Sequence, residues 1–584
     1  MHNVIIIGGM AAGCKAAARL SRLSNNFHVL IVEKSPFVSF STCGLPLYAS
    51  GELNNLTDLT STSYGTNRDA KYFRDVKGIE VLVNTEVKAI KPWTHEIECV
   101  DLIKNFSHNL SYDSLIIATG SEIKKPPFNI CSSPLISSFH SPSDAKNFRG
   151  RAQKGEINKA VIIGGGFIGC ELAESLISLW GIETVLIEKE DTLLPGCLDM
   201  ELAVCAESAI NSDKIMLLLS TSVEKITEDA NGHLLATLDN GQKISADYVF
   251  CCPGVKPDTE LARKANIKTG NLGGILVDEE MRTSIPGIWA AGDCVELTNL
   301  VTGQNDYFSF GSLANRMGRT AADSIAGRRA SFIGSAGTFS LKLFDIIISA
   351  TGLSEKKASA CGFETGSVIG CWSDRPDFHP DAKNLVGKMV YDKQGFRLLG
   401  IQLMGEGEIT RYIDIFSQLL SEHKTIYDLL NLEHGYTPAH SSPVSILNNL
   451  GYMVLNQEIE GVENFNPLKF KTFTGTVIDV REPDEVKNYP FKTSTIQIPL
   501  SEFRSKLVEL KNNPGIETPV LLVCEKGPRA YEASRILLNN CFHYIAYLAG
   551  GHYLYDKILG SSISTNDKII GEKIAGFMEN DYER

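Results

Sequence analysis

Val4-Ile5-Ile6-Ile7-Gly8-Gly9-Met10-Ala11-Ala12-Gly13 is a run of β-branched residues that breaks into a glycine-rich turn and continues as an Ala/Arg/Leu helix towards Val29-Leu30-Ile31-Val32-Glu33. The plan returns once, as Ala160-Val161-Ile162-Ile163-Gly164-Gly165-Gly166-Phe167-Ile168-Gly169 leading to Thr184-Val185-Leu186-Ile187-Glu188. Each copy reads as strand, tight turn, helix and strand, with a carboxylate about twenty residues beyond the glycines. Glycine lets the backbone turn sharply and approach a pyrophosphate. The helix N-terminus adds free N–H groups and a favourable dipole, and the distal carboxylate accepts hydrogen bonds from a ribose diol. One such turn would also suit an ordinary α/β protein, and the first copy carries Met10 at the middle glycine position. Two copies in one chain predict two Rossmann-like dinucleotide-binding domains.

Glu188 in place of an arginine favours an unphosphorylated ribose, hence NADH over NADPH, although Lys189 beside it leaves NADPH open. Two further strands end in small-residue turns, Leu115-Ile116-Ile117-Ala118-Thr119-Gly120 and Gly287-Ile288-Trp289-Ala290-Ala291-Gly292-Asp293. Either alone is a strand connection. In the order found here they suit a flavoprotein with two dinucleotide folds, where such turns close over FAD and the aspartate holds ribityl hydroxyls. The candidate cofactor contacts are therefore Gly8, Gly9, Ala12, Gly13, Glu33, Lys34, Ala118, Thr119, Gly120, Gly292 and Asp293, together with Gly164, Gly166, Phe167, Ile168, Gly169, Glu188 and Gly254.

The chain's 584 residues suggest three to five domains at about 150 residues each. Hydrophobic residues at 43% and charged residues at 21% are ordinary globular values. The net charge of −13 opposes attraction to nucleic acid or anionic membranes. The first apolar run meets glycine at Gly8, too early for a signal-peptide core, and no later stretch approaches the ~18 apolar residues of a membrane span. A cytoplasmic protein without nucleic-acid or membrane partners is expected. The 14 cysteines include no C-x-x-C and no zinc spacing, so no metal is expected and most should be packing thiols.

Two cysteines stand apart. Cys43, in Ser39-Phe40-Ser41-Thr42-Cys43-Gly44-Leu45-Pro46, lies ten residues beyond Glu33 in a loop or helix start, where a thiolate would have a lowered pKa. No second cysteine lies two to five residues away, so any redox chemistry uses one protein sulfur. Cys524, in Leu521-Leu522-Val523-Cys524-Glu525-Lys526-Gly527-Pro528-Arg529-Ala530, sits between a strand and a helix in a loop that aims successive N–H groups at its centre. A stabilised thiolate or persulfide is expected there, with a core cysteine at a strand end as the plain alternative. Cys14, Cys170, Cys197, Cys205, Cys251, Cys252 and Cys294 fall where small apolar residues belong and receive no chemistry.

With these residues in hand, positions 1 to about 450 resemble the single-cysteine pyridine nucleotide-disulfide oxidoreductases, specifically coenzyme A-disulfide reductases and their NADH oxidase relatives. Residues from about 465 resemble a rhodanese domain through Ile478-Asp479-Val480-Arg481, Ile498-Pro499-Leu500, the Cys524 loop and Leu548-Ala549-Gly550-Gly551-His552. The fusion is similar to coenzyme A-disulfide reductase/rhodanese proteins, several of which are persulfide or polysulfide reductases. The implied fold is α/β, with an FAD-binding domain at 1–150 and 275–330, an NAD(P)H-binding domain at 151–274, an α+β dimerisation domain at 331–455, a linker at 456–469 and an α/β rhodanese-like domain at 470–584.

The resemblance further implies a homodimer using FAD, NADH or NADPH, and coenzyme A, acting on a small thiol persulfide, polysulfide or disulfide. In that reading Cys43 is the redox nucleophile, and Cys524 carries sulfane sulfur with Arg529 stabilising its charge. Tyr436 reaches the partner's active site, and His434 or Tyr436 supplies a proton. Arg19, Arg22, Ser39, Thr42 and Lys71 line the coenzyme A site, where cations suit phosphates. Three positions depart from the family pattern: Thr42 replaces an asparagine, Phe378-His379-Pro380 replaces a paired-tyrosine motif, and no lysine follows Ser441-Ser442 before Val444. The expected activity is NAD(P)H-dependent persulfide or polysulfide reduction. The alternatives are coenzyme A-disulfide reduction, an NADH oxidase or peroxidase cycling Cys43 through sulfenic acid, and a non-enzymatic sulfur carrier or redox sensor.

Overall fold

The computed structural model describes residues 1–210, 214–230, 232–491 and 493–560. It divides into two compact units, Met1–Lys189 with Asp213–Gly337, and Glu190–Ser212 with Thr338–Arg584.

The first unit contains two five-stranded parallel sheets that share the order of four strands and differ in the edge strand, which comes last along the chain in the first sheet and first in the second. The first sheet runs Ile288–Ala290, Ser114–Ile117, His2–Ile7, Phe27–Val32, Glu80–Leu82, and the second runs Ile136–Ser137, Tyr248–Cys251, Lys159–Ile163, Glu183–Ile187, Ile215–Leu218. Parallel strands are covered on both faces, so they read as unbroken apolar runs rather than alternations. Val4, Ile6, Ile116, Ile117, Val161 and Ile162 are accordingly fully buried. Helix Ala11–Leu23 follows the first glycine turn and buries Ala12, Gly13, Ala16, Ala17 and Leu20, a stripe of small residues at helical spacing that lets it lie close to the sheet. Helix Phe167–Ser178 is its counterpart in the second copy. A short antiparallel ribbon, Ser121–Ile123 with Val255–Pro257, joins the turns that leave the two sheets.

The second unit holds a five-stranded antiparallel sheet, ordered Phe339–Leu343, Ile346–Gly352, Leu398–Gly405, Asn384–Asp392, Thr365–Ser373, and a five-stranded parallel sheet, ordered Glu463–Phe465, Ile545–Leu548, Val520–Val523, Thr476–Asp479, Ile496–Gln497. Residues 456–469, expected as a linker, are ordered secondary structure. The helix Ile446–Glu458 runs into them, and Glu463–Phe465 forms the edge strand of the parallel sheet. The interleaved Asn and Glu suggested solvation, but Asn464 is buried and its side chain bonds both the N–H and the carbonyl of Ile369 at 2.8 and 3.1 Å. The part of the expected rhodanese-like domain beyond residue 560 lies outside the described residues.

Glu190–Ser212 falls in sequence inside the span assigned to the NAD(P)H-binding domain, yet it packs with the second unit. The reason is electrostatic. Lys388, 2% exposed in the antiparallel sheet, has its ammonium 3.6 Å from Asp199, 2.9 Å from Glu201 and 2.7 Å from Glu355. Gln402 and Asn466 donate further hydrogen bonds to Asp199 and Glu201. Removing one partner from such a buried cluster leaves charges uncompensated, which typically costs about 3–5 kcal/mol. Lys388→Met is therefore expected to lower unfolding stability by about that amount in urea titration, whereas a change within 0.5 kcal/mol, the roughly neutral range of surface substitutions, would show that the cluster does not anchor the segment.

Candidate functional site

The glycine turns leave the carboxyl ends of their strands in a geometry that only glycine allows. Gly8 has φ +108°, and a Cβ there would meet the Ala118 carbonyl oxygen at 2.1 Å; Gly164 has φ +110°, and its Cβ would meet that of Cys252 at 2.3 Å. At Gly13 and Gly169 a Cβ would lie 1.9 Å from the carbonyl oxygens of Gly8 and Gly164 respectively. The distal carboxylates match as well. The Gly9 N–H donates to Glu33 at 2.7 Å and the Gly165 N–H to Glu188 at 2.6 Å. Even the cysteines correspond, since Cys14 donates its S–H to the Gly9 carbonyl and Cys170 to that of Gly165, at 3.0 and 3.6 Å. Each turn is thus a backbone cradle that a side chain would fill, with a helix N-terminus and a buried carboxylate at hand. This geometry fits a dinucleotide pyrophosphate and ribose.

The remaining expected cofactor contacts gather at the same sheet edges. Ala118-Thr119-Gly120 follow Ser114–Ile117, the strand beside His2–Ile7, Gly292-Asp293 follow Ile288–Ala290, the next strand out, and Gly254 occupies in the second sheet the place of Gly120 in the first. Gly120, Gly254 and Gly292 all have positive φ. Gly292 lies against Ala12, and Gly166 and Phe167 begin the helix that also carries Ile168. Asp293 accepts a 2.6 Å hydrogen bond from Ser309, and burial raises its carboxyl above the usual range. Lys34 pairs with Asp258 at 3.6 Å, a partner the sequence did not suggest.

Cys43 lies in a 3-10 turn, Thr42–Gly44, and is exposed ahead of helix Leu45–Ser50. The lowered pKa expected from a helix start is not found. Residual desolvation raises the thiol, followed by the charges of Glu171 and Asp293, and six residues of helix do not offset them. Glu171 is the site residue that the sequence reading missed. It is half-buried on Phe167–Ser178, and burial, with Glu174 adding to it, pushes its carboxyl up to about 7. Its one signal was a lone acid in the otherwise apolar run Phe167-Ile168-Gly169-Cys170-Glu171-Leu172-Ala173.

Among the expected coenzyme A contacts, Arg19 is not free: its guanidinium pairs with Asp323 at 2.7 Å. Arg22 lies one turn further along the same helix and is exposed, as are Thr42 and Lys71. Ser39 adopts a left-handed φ of 57° while its N–H donates to Gly9 at 2.8 Å. Tyr436 is 49% exposed, and His434 donates from Nε2 to the Ser442 carbonyl at 3.1 Å, which ties that ring nitrogen to the local chain.

Cys524 stands at the end of the central strand of the parallel sheet, 1% exposed, with the Gly527 N–H donating to its sulfur at 3.1 Å. The amides of Ala530, Gly527 and Lys526 favour a thiolate, yet burial outweighs them and the thiol is raised. Arg529 does not direct its fork at the sulfur as expected. It makes two 2.6 Å hydrogen bonds to Glu485, which hold that carboxyl down at about 2. The other cations are engaged too: Lys526 donates to Ser373 at 2.9 Å, and the fully buried Arg481 pairs with Asp479 at 2.8 Å.

The profile of the family described as pyridine nucleotide-disulphide oxidoreductase matches residues 2–316. Among solved structures, a NAD-dependent persulfide reductase from A. fulgidus is 35% identical with a TM-score of 0.89, covering 95% of this chain and 100% of that one. The reduced CoADR-RHD of Bacillus anthracis is 28% identical with a TM-score of 0.87, covering 96% and 98%. A curated relative in Pyrococcus horikoshii, named NAD(P)H coenzyme A polysulfide/persulfide reductase, is 29% identical over 75% of this chain and 94% of its own length. Another, in Methanocaldococcus jannaschii and named NADH oxidase, is 29% identical over 76% and 96%.

Two outcomes follow from the geometry. Gly169→Ala overpacks the second turn, and a cost of about 1–3 kcal/mol should raise the KM for NADH roughly tenfold or more while flavin content is unchanged. Equal loss of both nucleotides would contradict the separate roles of the two turns. Glu485→Gln leaves Arg529 unneutralised beside Cys524, so the thiol should be alkylated faster by iodoacetamide at neutral pH. An unchanged rate would mean that Arg529 has no electrostatic reach to the sulfur.

Proposed function

We propose that this chain, which belongs to the pyridine nucleotide-disulphide oxidoreductase family, is an FAD-dependent NAD(P)H:persulfide or polysulfide reductase acting on coenzyme A-linked sulfur, with its C-terminal rhodanese domain handling sulfane sulfur. The observation that carries this reading is the combination of one exposed cysteine, Cys43, beside two dinucleotide cradles with a second, amide-cradled cysteine, Cys524, in the same chain. Similarity to a persulfide reductase extends along 95% of the chain, the rhodanese part included. The oxidase reading accounts for the first three quarters and leaves Cys524 without a role.

The Gly8–Gly13 turn, Glu33, Gly120 and Asp293 would hold FAD, and the Gly164–Gly169 turn with Glu188 the nicotinamide nucleotide. Glu188 places a negative charge where a 2′-phosphate would sit, which supports NADH as the donor. Bound FAD supplies a two-electron relay between the nicotinamide and the Cys43 sulfur. The protein's own part is orientation, exclusion of water and proton handling. The Cys43 thiolate attacks the sulfur bonded to the carrier, forms a mixed disulfide with it and releases sulfide; two electrons and two protons then return Cys43 and the carrier to thiols. Arg22 and Lys71 offer the free cations suited to a carrier's phosphates, and Arg19 does so once it parts from Asp323. Cys524 receives or hands on sulfane sulfur as a persulfide. A homodimer in which Tyr436 reaches the partner's site completes the proposal. All fourteen cysteines are free thiols, which suits a reducing, cytoplasmic location. Among the described residues no helix is long and apolar enough to cross a membrane.

An anaerobic assay that follows NADH oxidation and sulfide release with coenzyme A persulfide, polysulfide and coenzyme A disulfide in parallel tests this directly. Sulfide should form in step with NADH from persulfide or polysulfide, and Cys43→Ser should abolish it. Turnover with the disulfide alone would make the protein a coenzyme A-disulfide reductase, and NADH oxidation on admitting oxygen alone would make it an oxidase.

A further inference from the structure

We propose that Glu171 is the proton-transfer residue for the Cys43 sulfur, a role that rests on the persulfide-reductase reading and assigns its acid and base. The placement follows from how two helices pack. Ser175 on Phe167–Ser178 donates to the Pro46 carbonyl at 3.2 Å, and Trp180 donates through Nε1 to the Ala49 carbonyl at 2.8 Å. A Cβ on Gly51 would meet the Leu179 side chain at 2.4 Å. Residues 175 to 180 therefore run alongside 46 to 51 in the same direction. Glu171 lies four residues, one helical turn, before Ser175 on the same face, and Cys43 lies three residues before Pro46 in the turn that leads into its helix.

The charges agree with the packing. Glu171 is the charged group that acts most strongly on the Cys43 thiol, and its own carboxyl is raised by burial to about 7, where it can both take and give a proton near neutrality. The other charged groups that act on this pair are Glu174, on the same helix as Glu171, and Asp293, which acts on Cys43; Tyr48, on the helix after Cys43, has its ring covered by Arg149 at 4.5 Å. Arg149 in turn donates to the carbonyls of Tyr48 and Leu53. The strands packed on the helix place Lys159 and Glu183 in a pair with each other. His434, the earlier candidate, has its Nε2 held by Ser442.

The Glu171 carboxylate takes the Cys43 thiol proton as the sulfur attacks the carrier-bonded sulfur of a persulfide. The S–S bond of the persulfide breaks, the Cys43–S–S–carrier bond forms, and HS⁻ leaves. Glu171 then returns the proton to HS⁻, giving H2S. The net change, Cys43–SH plus carrier–S–SH to the mixed disulfide plus H2S, consumes no outside reagent.

Stopped-flow spectroscopy of the holoenzyme separates this role from others. In Glu171→Gln, flavin reduction by NADH should proceed at the wild-type rate, while reoxidation by coenzyme A persulfide should slow about 100-fold. Glu171→Asp should recover part of the loss, and acetate should partly rescue Glu171→Ala. Flavin content and thermal melting of each variant report folding. Reoxidation at the wild-type rate in Glu171→Gln, or a loss confined to the NADH step, overturns the proposal. A wild-type enzyme that releases no sulfide from the persulfide overturns the underlying reading instead.

Discussion

The structure of the first unit depends on one steric constraint, the contact of backbone on backbone at the two glycine turns. Gly13 and Gly169 bring their helices to within a missing Cβ of the preceding strand ends, and Gly8 and Gly164 do the same to the neighbouring strands. A side chain at Gly13 or Gly169 would push the helix from its strand end, and one at Gly8 or Gly164 would push the turn from the neighbouring strand. What the close approach leaves behind is functional: unpaired amides at a helix start, and a carboxylate fixed on the adjacent strand by the amide of Gly9 or Gly165. Because the second copy repeats the first down to the S–H bonds of Cys14 and Cys170, one solution has been used twice.

A second theme is how the chain distributes its charges around sulfur. Neither candidate cysteine rests as a thiolate by virtue of a free cation. At Cys43 the nearest influences are carboxylates, Glu171 and Asp293. At Cys524 each nearby guanidinium is matched by a carboxylate and the lysine by a hydroxyl, which leaves the loop amides to act on the sulfur. Sites built this way hold sulfur as a neutral thiol until an acceptor arrives and make proton transfer part of the reaction.

The two glycine turns were legible in the sequence because their signal is local. Four residue types in a fixed order along one strand and one helix determine Gly8 to Gly13 and Gly164 to Gly169, and the antiparallel texture from Thr338 was equally visible. What was not legible depends on pairs distant in sequence. Asp199 and Glu201 gave no sign that Lys388 would draw Glu190–Ser212 into the second unit. Asn464 looked like a linker residue until its amide met Ile369. The upward shift of Cys43 comes first from burial and next from Glu171, 128 positions away by number but one helix away in space. Arg529 was expected to act on the Cys524 sulfur, but its guanidinium pairs with Glu485 on another helix.

The central claim is that Cys43 is the sulfur through which electrons from the nicotinamide nucleotide reach a carrier-bound persulfide. Mass spectrometry of peptides from enzyme mixed anaerobically with coenzyme A persulfide and quenched within one turnover tests it most directly. The account predicts a coenzyme A mixed disulfide on Cys43 that disappears when NADH is added, with sulfide released. An unmodified Cys43 in enzyme that is turning over, or an adduct that persists after NADH, would contradict it.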